Sequence, residues 1–153
     1  MPLISETIEI DCDVQKVRKT FQNFTNYSSW TAFIQTIEVT TPGKTQDTVS
    51  VGDELKVKVC LPKSKKESIF TPTVLENSES CFKWCGTLLS NYIFSGEHSF
   101  TFKQLENGST EVIQSENFTG MLSSPIFMLI GEDTKEGFKL FNAALKQESE
   151  KKD

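Results

Sequence analysis

The chain of 153 residues has one histidine, His98, and no surplus of positive charge: 16 lysines and arginines stand against 21 aspartates and glutamates, for a net charge of −5. The lack of a basic face argues against a dedicated nucleic-acid binder, which must neutralise phosphates. The one basic cluster, Lys63-Ser64-Lys65-Lys66, reads as a solvated loop or as a contact for an anionic membrane or partner. No apolar run approaches the roughly 20 residues that a bilayer crossing requires, so stable membrane insertion is not expected. The first residues, Met1-Pro2-Leu3-Ile4-Ser5-Glu6, contain no basic segment followed by an apolar stretch. The expectation is therefore no signal peptide and a cytoplasmic location.

Cys12, Cys60, Cys81 and Cys85 lack metal-site spacing. Cys81 and Cys85 fall in one expected strand, about 13 Å apart at strand rise, too far to bridge or to share a zinc ion. Reduced thiols, no metal and no cofactor are the expectation. Aromatic residues are uneven, with 12 phenylalanines against 2 tyrosines and 2 tryptophans. Phenylalanine gives large apolar area without a polar handle, which suits a core or the wall of an apolar cavity.

What is present reads as one domain over 1–153. Leu3 to Ile10 ends in strand-like alternation. Asp13 can cap a helix carrying Val14, Val17, Phe21 and Phe24 at helical spacing, and an aromatic-rich short helix or turn follows from Asn26 to Ile34. Strands are expected at Ile34–Thr40, Glu54–Leu61, Ser68–Leu75 and Ser80–Cys85, then as a long pair around Glu106-Asn107-Gly108. The C-terminal part changes to helical period. Ser124-Pro125 can start a helix from about Pro125 to Gln147, with a break expected near Gly131, and residues 148–153 read as a frayed polar tail.

The long pair carries His98, and its turn decides what the histidine faces. A two-residue Asn107-Gly108 turn sets His98 opposite Asn117 and splits the phenylalanines between two faces. A three-residue loop with Gly108 in a left-handed bulge sets His98 opposite Glu116, Phe100 opposite Gln114 and Phe102 opposite Val112. A one-residue slip turns over a whole apolar face, so the pattern selects the second register. His98 and Glu116 then form either an acid–base pair or two polar groups that satisfy one another inside a pocket.

The order strand, two short helices, antiparallel strands and long helix is similar to the helix-grip fold of the START-like (SRPBCC, birch-pollen-allergen-like) superfamily, closest to its polyketide cyclase/dehydrase-like members. The residues that carry the resemblance are Val17…Phe21, Tyr27-Ser28-Ser29-Trp30-Thr31-Ala32-Phe33-Ile34, Val51-Gly52-Asp53-Glu54-Leu55, Phe82-Lys83-Trp84-Cys85-Gly86, Gly96-Glu97-His98-Ser99-Phe100 and Ser115-Glu116-Asn117-Phe118-Thr119-Gly120. The resemblance implies an α+β fold in which a curved antiparallel sheet of about seven strands wraps the C-terminal helix around a cavity for a small hydrophobic ligand, a lipid, sterol or aromatic metabolite. In that cavity Val57, Phe82, Phe100, Phe102 and Phe118 would supply walls from the strands, and Phe138 and Phe141 from the helix. Trp30 and Trp84 would either stack on a ligand or pack as core, and His98, Glu116 and Gln114 would fix a polar group.

Two other activities occur on this fold: cofactor-free cyclase or dehydratase chemistry, here by His98 and Glu116, and protein interaction of the chaperone-activator kind. The iron-containing oxygenase branch is excluded, because the chain lacks its Cys/His spacing and a second histidine. The stretch Met121–Ile130 is more apolar than one helix face needs. It reads as buried core, or as a lid that touches a membrane transiently during ligand exchange.

Overall fold

A computed structural model describes residues 2–88 and 90–152. Alternating residues build β1 (Leu3–Ile10), in which Ile4 and Ile10 are buried. Asp13 then caps α1 (Val14–Gln22), its carboxylate accepting from the Lys16 N–H at 2.9 Å, and Val17 and Phe21 turn inward. A 3-10 helix over Phe24–Ser29 follows, pinned where the buried Tyr27 hydroxyl donates to the Phe21 carbonyl at 2.6 Å.

The strands β2 (Ile34–Val39), β3 (Leu55–Cys60) and β4 (Glu67–Phe70) form a small antiparallel sheet. A second sheet has the order β1-β8-β7-β6-β5, with β5 at Thr73–Asn77, β6 at Cys81–Leu88, β7 at Phe94–Gln104 and β8 at Thr110–Thr119. The expected strand count of about seven is thus eight. The single strand expected over Ser68–Leu75 is divided by Thr71-Pro72, because proline offers no N–H to a ladder. The chain changes sheets at that point, and the Pro72 carbonyl accepts from the Leu55 N–H at 3.0 Å to join the corner.

The β7–β8 hairpin closes through Leu105 and Ser109 around Glu106-Asn107-Gly108, with Gly108 at φ +89°. That bulge sets the register: His98 opposes Glu116, Phe100 opposes Gln114 and Phe102 opposes Val112.

The last element, α2, runs unbroken over Ser123–Ser149 and lies across β1 and β8. The break expected at Gly131 does not occur. Nor does the chain fray from residue 148: the helix continues through the fully buried Ser149, and the Glu150 carboxylate accepts from the Asp11 N–H at 2.7 Å. Gly137 faces inward against the Phe33 ring, leaving no room for a Cβ, so a residue unfavourable to helix is exchanged here for close helix–sheet contact. The whole is the helix-grip arrangement, a curved sheet closed over one long helix.

Candidate functional site

Along the inner face of the large sheet, Trp84, His98, Glu116 and Ile4 form one row across β6, β7, β8 and β1. The register opposes His98 and Glu116, yet no hydrogen bond or ion pair joins them among the described residues. The expected pair is therefore not made, and each side chain has gone elsewhere.

His98 is 5% exposed and shares a 2.9 Å hydrogen bond between its Nε2 and the Gln114 Oε1. The Gln114 amide nitrogen donates to the Phe138 carbonyl at 3.3 Å and to the Asn142 Oδ1 at 2.9 Å. The Asn142 amide in turn donates to the Glu6 carbonyl at 3.1 Å. Because Gln114 must present its nitrogen to those two acceptors, its oxygen faces His98, which assigns the proton to Nε2. The imidazole lies stacked on Phe100 (4.7 Å, 18°), between Trp84 and Phe138 at 4.9 and 4.8 Å. Burial pushes its pKa down to about 4, against the opposing pull of the Gln114 bond. His98 is thus a neutral member of a chain that ties β7, β8, α2 and β1 together.

Glu116 leans the other way. Its Oε2 lies 2.5 Å from the point where a Cβ on Gly96 would sit, so the carboxyl occupies the space left by the missing side chain. Gly96 pairs with Gly86 on β6, and the nearest atom to a Cβ added at Gly86 would be the Phe70 ring at 3.7 Å. Two adjacent inward positions without side chains thus form a glycine floor, with Phe94, Phe118 and Phe127 clustered beyond it at ring separations of 5.5 and 6.0 Å. The Glu116 carboxyl has no hydrogen-bond partner among the described residues, and burial alone raises its pKa to about 7. The side chain is half-buried and keeps some accessible surface.

The remaining expected wall residues divide between two environments. Phe82, Phe100, Phe102 and Phe141 pack with Phe21, Phe24 and Tyr27 at ring separations of 4.6 to 6.4 Å, a closed block with Val57 buried beside it. Trp30 packs half-buried on Tyr27 and Phe141. Trp84 and Phe138 flank His98 at the waist, and Phe118 lies beyond, on the side of the glycine floor. Sequence reasoning missed Gly86, Gly96, Phe94 and Phe127. The signal was available, because an isolated glycine at an inward strand position marks a close approach or a gap.

A surface groove of about 880 Å³ is remote from these residues. It lies between α1 and the β5–β6 turn, where the Arg18 guanidinium covers Phe21, Phe82 and Phe102. Among the described residues no cluster of three His, Cys, Asp or Glu side chains could hold a metal ion.

A curved antiparallel sheet closed over one long C-terminal helix defines a START-like protein of the SRPBCC class. The chain belongs to the family described as polyketide cyclase/dehydrase and lipid transport, whose model matches residues 1–150. Solved structures similar to it include a START superfamily protein from Mycobacterium smegmatis (15% identity, TM-score 0.72, covering 97% of each chain). Another is the Zhui aromatase/cyclase from a Streptomyces species (8% identity, TM-score 0.74, 97% of this chain and 93% of that one). A third is a hypothetical protein from Helicobacter pylori (12% identity, TM-score 0.74, 97% and 88%). At these identities the likeness establishes the fold. No curated protein matches the sequence.

Proposed function

We propose that the protein binds a small hydrophobic ligand in the recess between the glycine floor and the first half of α2, with Glu116 as the polar anchor. The observation that carries this reading is the Glu116 carboxyl, lying in the Gly96 gap without a protein partner. The Glu116 side chain keeps accessible surface and has no protein partner among the described residues, so it is free to meet a polar group of a ligand. With its pKa near 7 the group is present both as acid and as carboxylate at neutral pH. It can therefore donate to a ligand carbonyl or accept from a ligand hydroxyl. The aromatic block at the α1 end leaves the ligand only the other half of the interior.

The test is native mass spectrometry of the purified protein, together with displacement of an apolar fluorescent probe, anilinonaphthalene sulfonate. Wild type should retain or bind an apolar species, and Gly86→Leu, which fills the floor, should lose it with an unchanged melting temperature. Equal probe binding by wild type and Gly86→Leu would overturn the reading.

A cyclase or dehydratase activity is the second reading. It is favoured by the setting of Glu116, whose carboxyl lies in the Gly96 gap with its pKa raised by burial to about 7, which suits a general acid or base. In that reading Glu116 carries the proton and His98 positions the wall. Glu116→Gln should then abolish turnover of a poly-β-ketone substrate while leaving its binding within a fewfold.

A further inference from the structure

At the α2-start end of the molecule, two long segments contain no charged residue: Trp84–Gly96, between Lys83 and Glu97, and Asn117–Gly131, between Glu116 and Glu132. The fold brings them together. The Met121 and Leu122 N–H groups donate to the Tyr92 and Ile93 carbonyls, both at 2.9 Å, so the β6–β7 and β8–α2 connections form one cap. That cap holds its large apolar side chains in solvent: Tyr92 is 86% exposed, Met128 85%, Leu129 78% and Met121 73%. Apolar side chains grouped in this way on a folded chain mark a surface that meets something apolar.

A second feature says what that is. The β3–β4 loop folds back on itself, Leu61 exchanging backbone hydrogen bonds with Lys65 and Lys66, and Lys65 sits at φ +63°. Its Lys63 and Ser64 N–H groups donate to the two carboxylate oxygens of Asp133 on α2, at 2.7 and 3.0 Å. This strap sets Lys63 in the same groove, of about 790 Å³, as Met128 and Leu129, with Lys65 and Lys66 exposed beside it. Of the acids at this rim, Asp133 is engaged by the strap, Glu67 pairs with Lys58 at 3.4 Å, Glu6 pairs with Lys135 at 2.8 Å, and Glu132 stands exposed. Thus in a chain of net charge −5 a loop of three lysines stands beside the exposed Met128 and Leu129.

We infer that this cap docks on the surface of an anionic lipid bilayer, the apolar side chains entering the interface while Lys63, Lys65 and Lys66 meet lipid phosphates. Apolar burial joined to attraction for anionic headgroups is the usual basis of interfacial binding, and each lysine near such a surface adds about fivefold in affinity. The inference stands on exposed residues alone and is independent of whether the interior holds a ligand.

The experiment is co-sedimentation of the full chain with vesicles of phosphatidylcholine alone and of phosphatidylcholine with phosphatidylserine, over a range of salt. The wild type should bind the anionic vesicles about tenfold more tightly or better, and added salt should weaken the binding. Met128→Glu/Leu129→Glu should abolish it, and a Lys63→Glu/Lys65→Glu/Lys66→Glu triple variant should remove the preference for anionic lipid. Thermal melting should show both variants folded, since every substituted side chain is exposed. Gly86→Leu, with the inner floor filled, should still bind, which separates this result from failure of the ligand reading. No binding to either vesicle, or equal binding by wild type and Met128→Glu/Leu129→Glu, would overturn the inference. Self-association abolished by the same double substitution, without vesicle binding, would assign the cap to a second copy of the chain.

Discussion

At the α1 end of the interior, Phe21 is ringed by Phe24, Tyr27, Phe82, Phe100, Phe102 and Phe141, all buried, with Arg18 laid over the outside. At the α2-start end, Phe118 meets Phe94 and Phe127, which are half-buried, and the neighbouring inward positions on β6 and β7 are glycines. The same residue type thus fills one half of the grip and only edges the other. Close packing is a property of what stands opposite each ring, not of phenylalanine content. The His98–Gln114–Asn142 chain divides the two halves, holding the helix to the sheet at the waist so that one half can be dense while the other is loose.

The largest effect should come from emptying the dense half. Phe100→Ala should cost about 3–5 kcal/mol in denaturant unfolding, whereas Phe127→Ala in the loose half should cost about 1 kcal/mol. Equal losses would erase the distinction between the halves. Cutting the divider comes next. Gln114→Leu leaves the His98 N–H and the Asn142 carbonyl oxygen unpaired, about 1–3 kcal/mol for each. Gly137→Ala should destabilise by about 1–3 kcal/mol despite alanine's better helix propensity, because the Phe33 ring occupies the space. A stabilised variant would show that the ring can yield.

The smallest signal in the wild type is its pH dependence, because His98 and Glu116 oppose one another. Burial lowers the His98 pKa from its ordinary 6.5 to about 4 in the folded chain, so the unfolded chain binds more protons between those values. Its contribution to stability therefore falls as pH drops from about 6.5 to 4. Glu116 titrates at about 7 against 4.5, so the folded chain binds more protons there, and its contribution falls as pH rises from 4.5 through 7. Stability should be nearly flat from pH 4.5 to 6.5. Glu116→Gln should unmask a stability that rises over that interval, and His98→Gln one that falls, each on the order of 1–3 kcal/mol. Parallel slopes in the two variants would refute the assignment.

The hairpin register was legible, because Gly108 and the alternation of Phe100 and Phe102 admit one pairing that keeps the apolar face together. The reach of the two polar side chains was not. Opposition in a ladder fixes Cβ positions, while the rotamer follows the available space. For Glu116 that space is the Gly96 gap, and for His98 the Gln114 amide lies within reach on the diagonal. The division between β4 and β5 is also legible, in Pro72, which offers no N–H to a ladder. The continuity of α2 through Gly131 depends on tertiary contacts that local propensity does not carry. The last turn of α2 likewise owes its order to Asp11, far away in the chain.

The pairing of β1 with β8 also bears on how the chain comes to be made. Leu3 finds its partner at Asn117 and Ile10 at Thr110, and the Glu6 carbonyl waits for Asn142. A nascent chain leaving the ribosome therefore carries β1, apolar on one face, unpaired until β8 has been made. The sheet and its helix can close only once α2 has been made, so this fold cannot form stepwise from β1 onward. A ribosome stalled anywhere before the end of α2 would hold an open, aggregation-prone sheet.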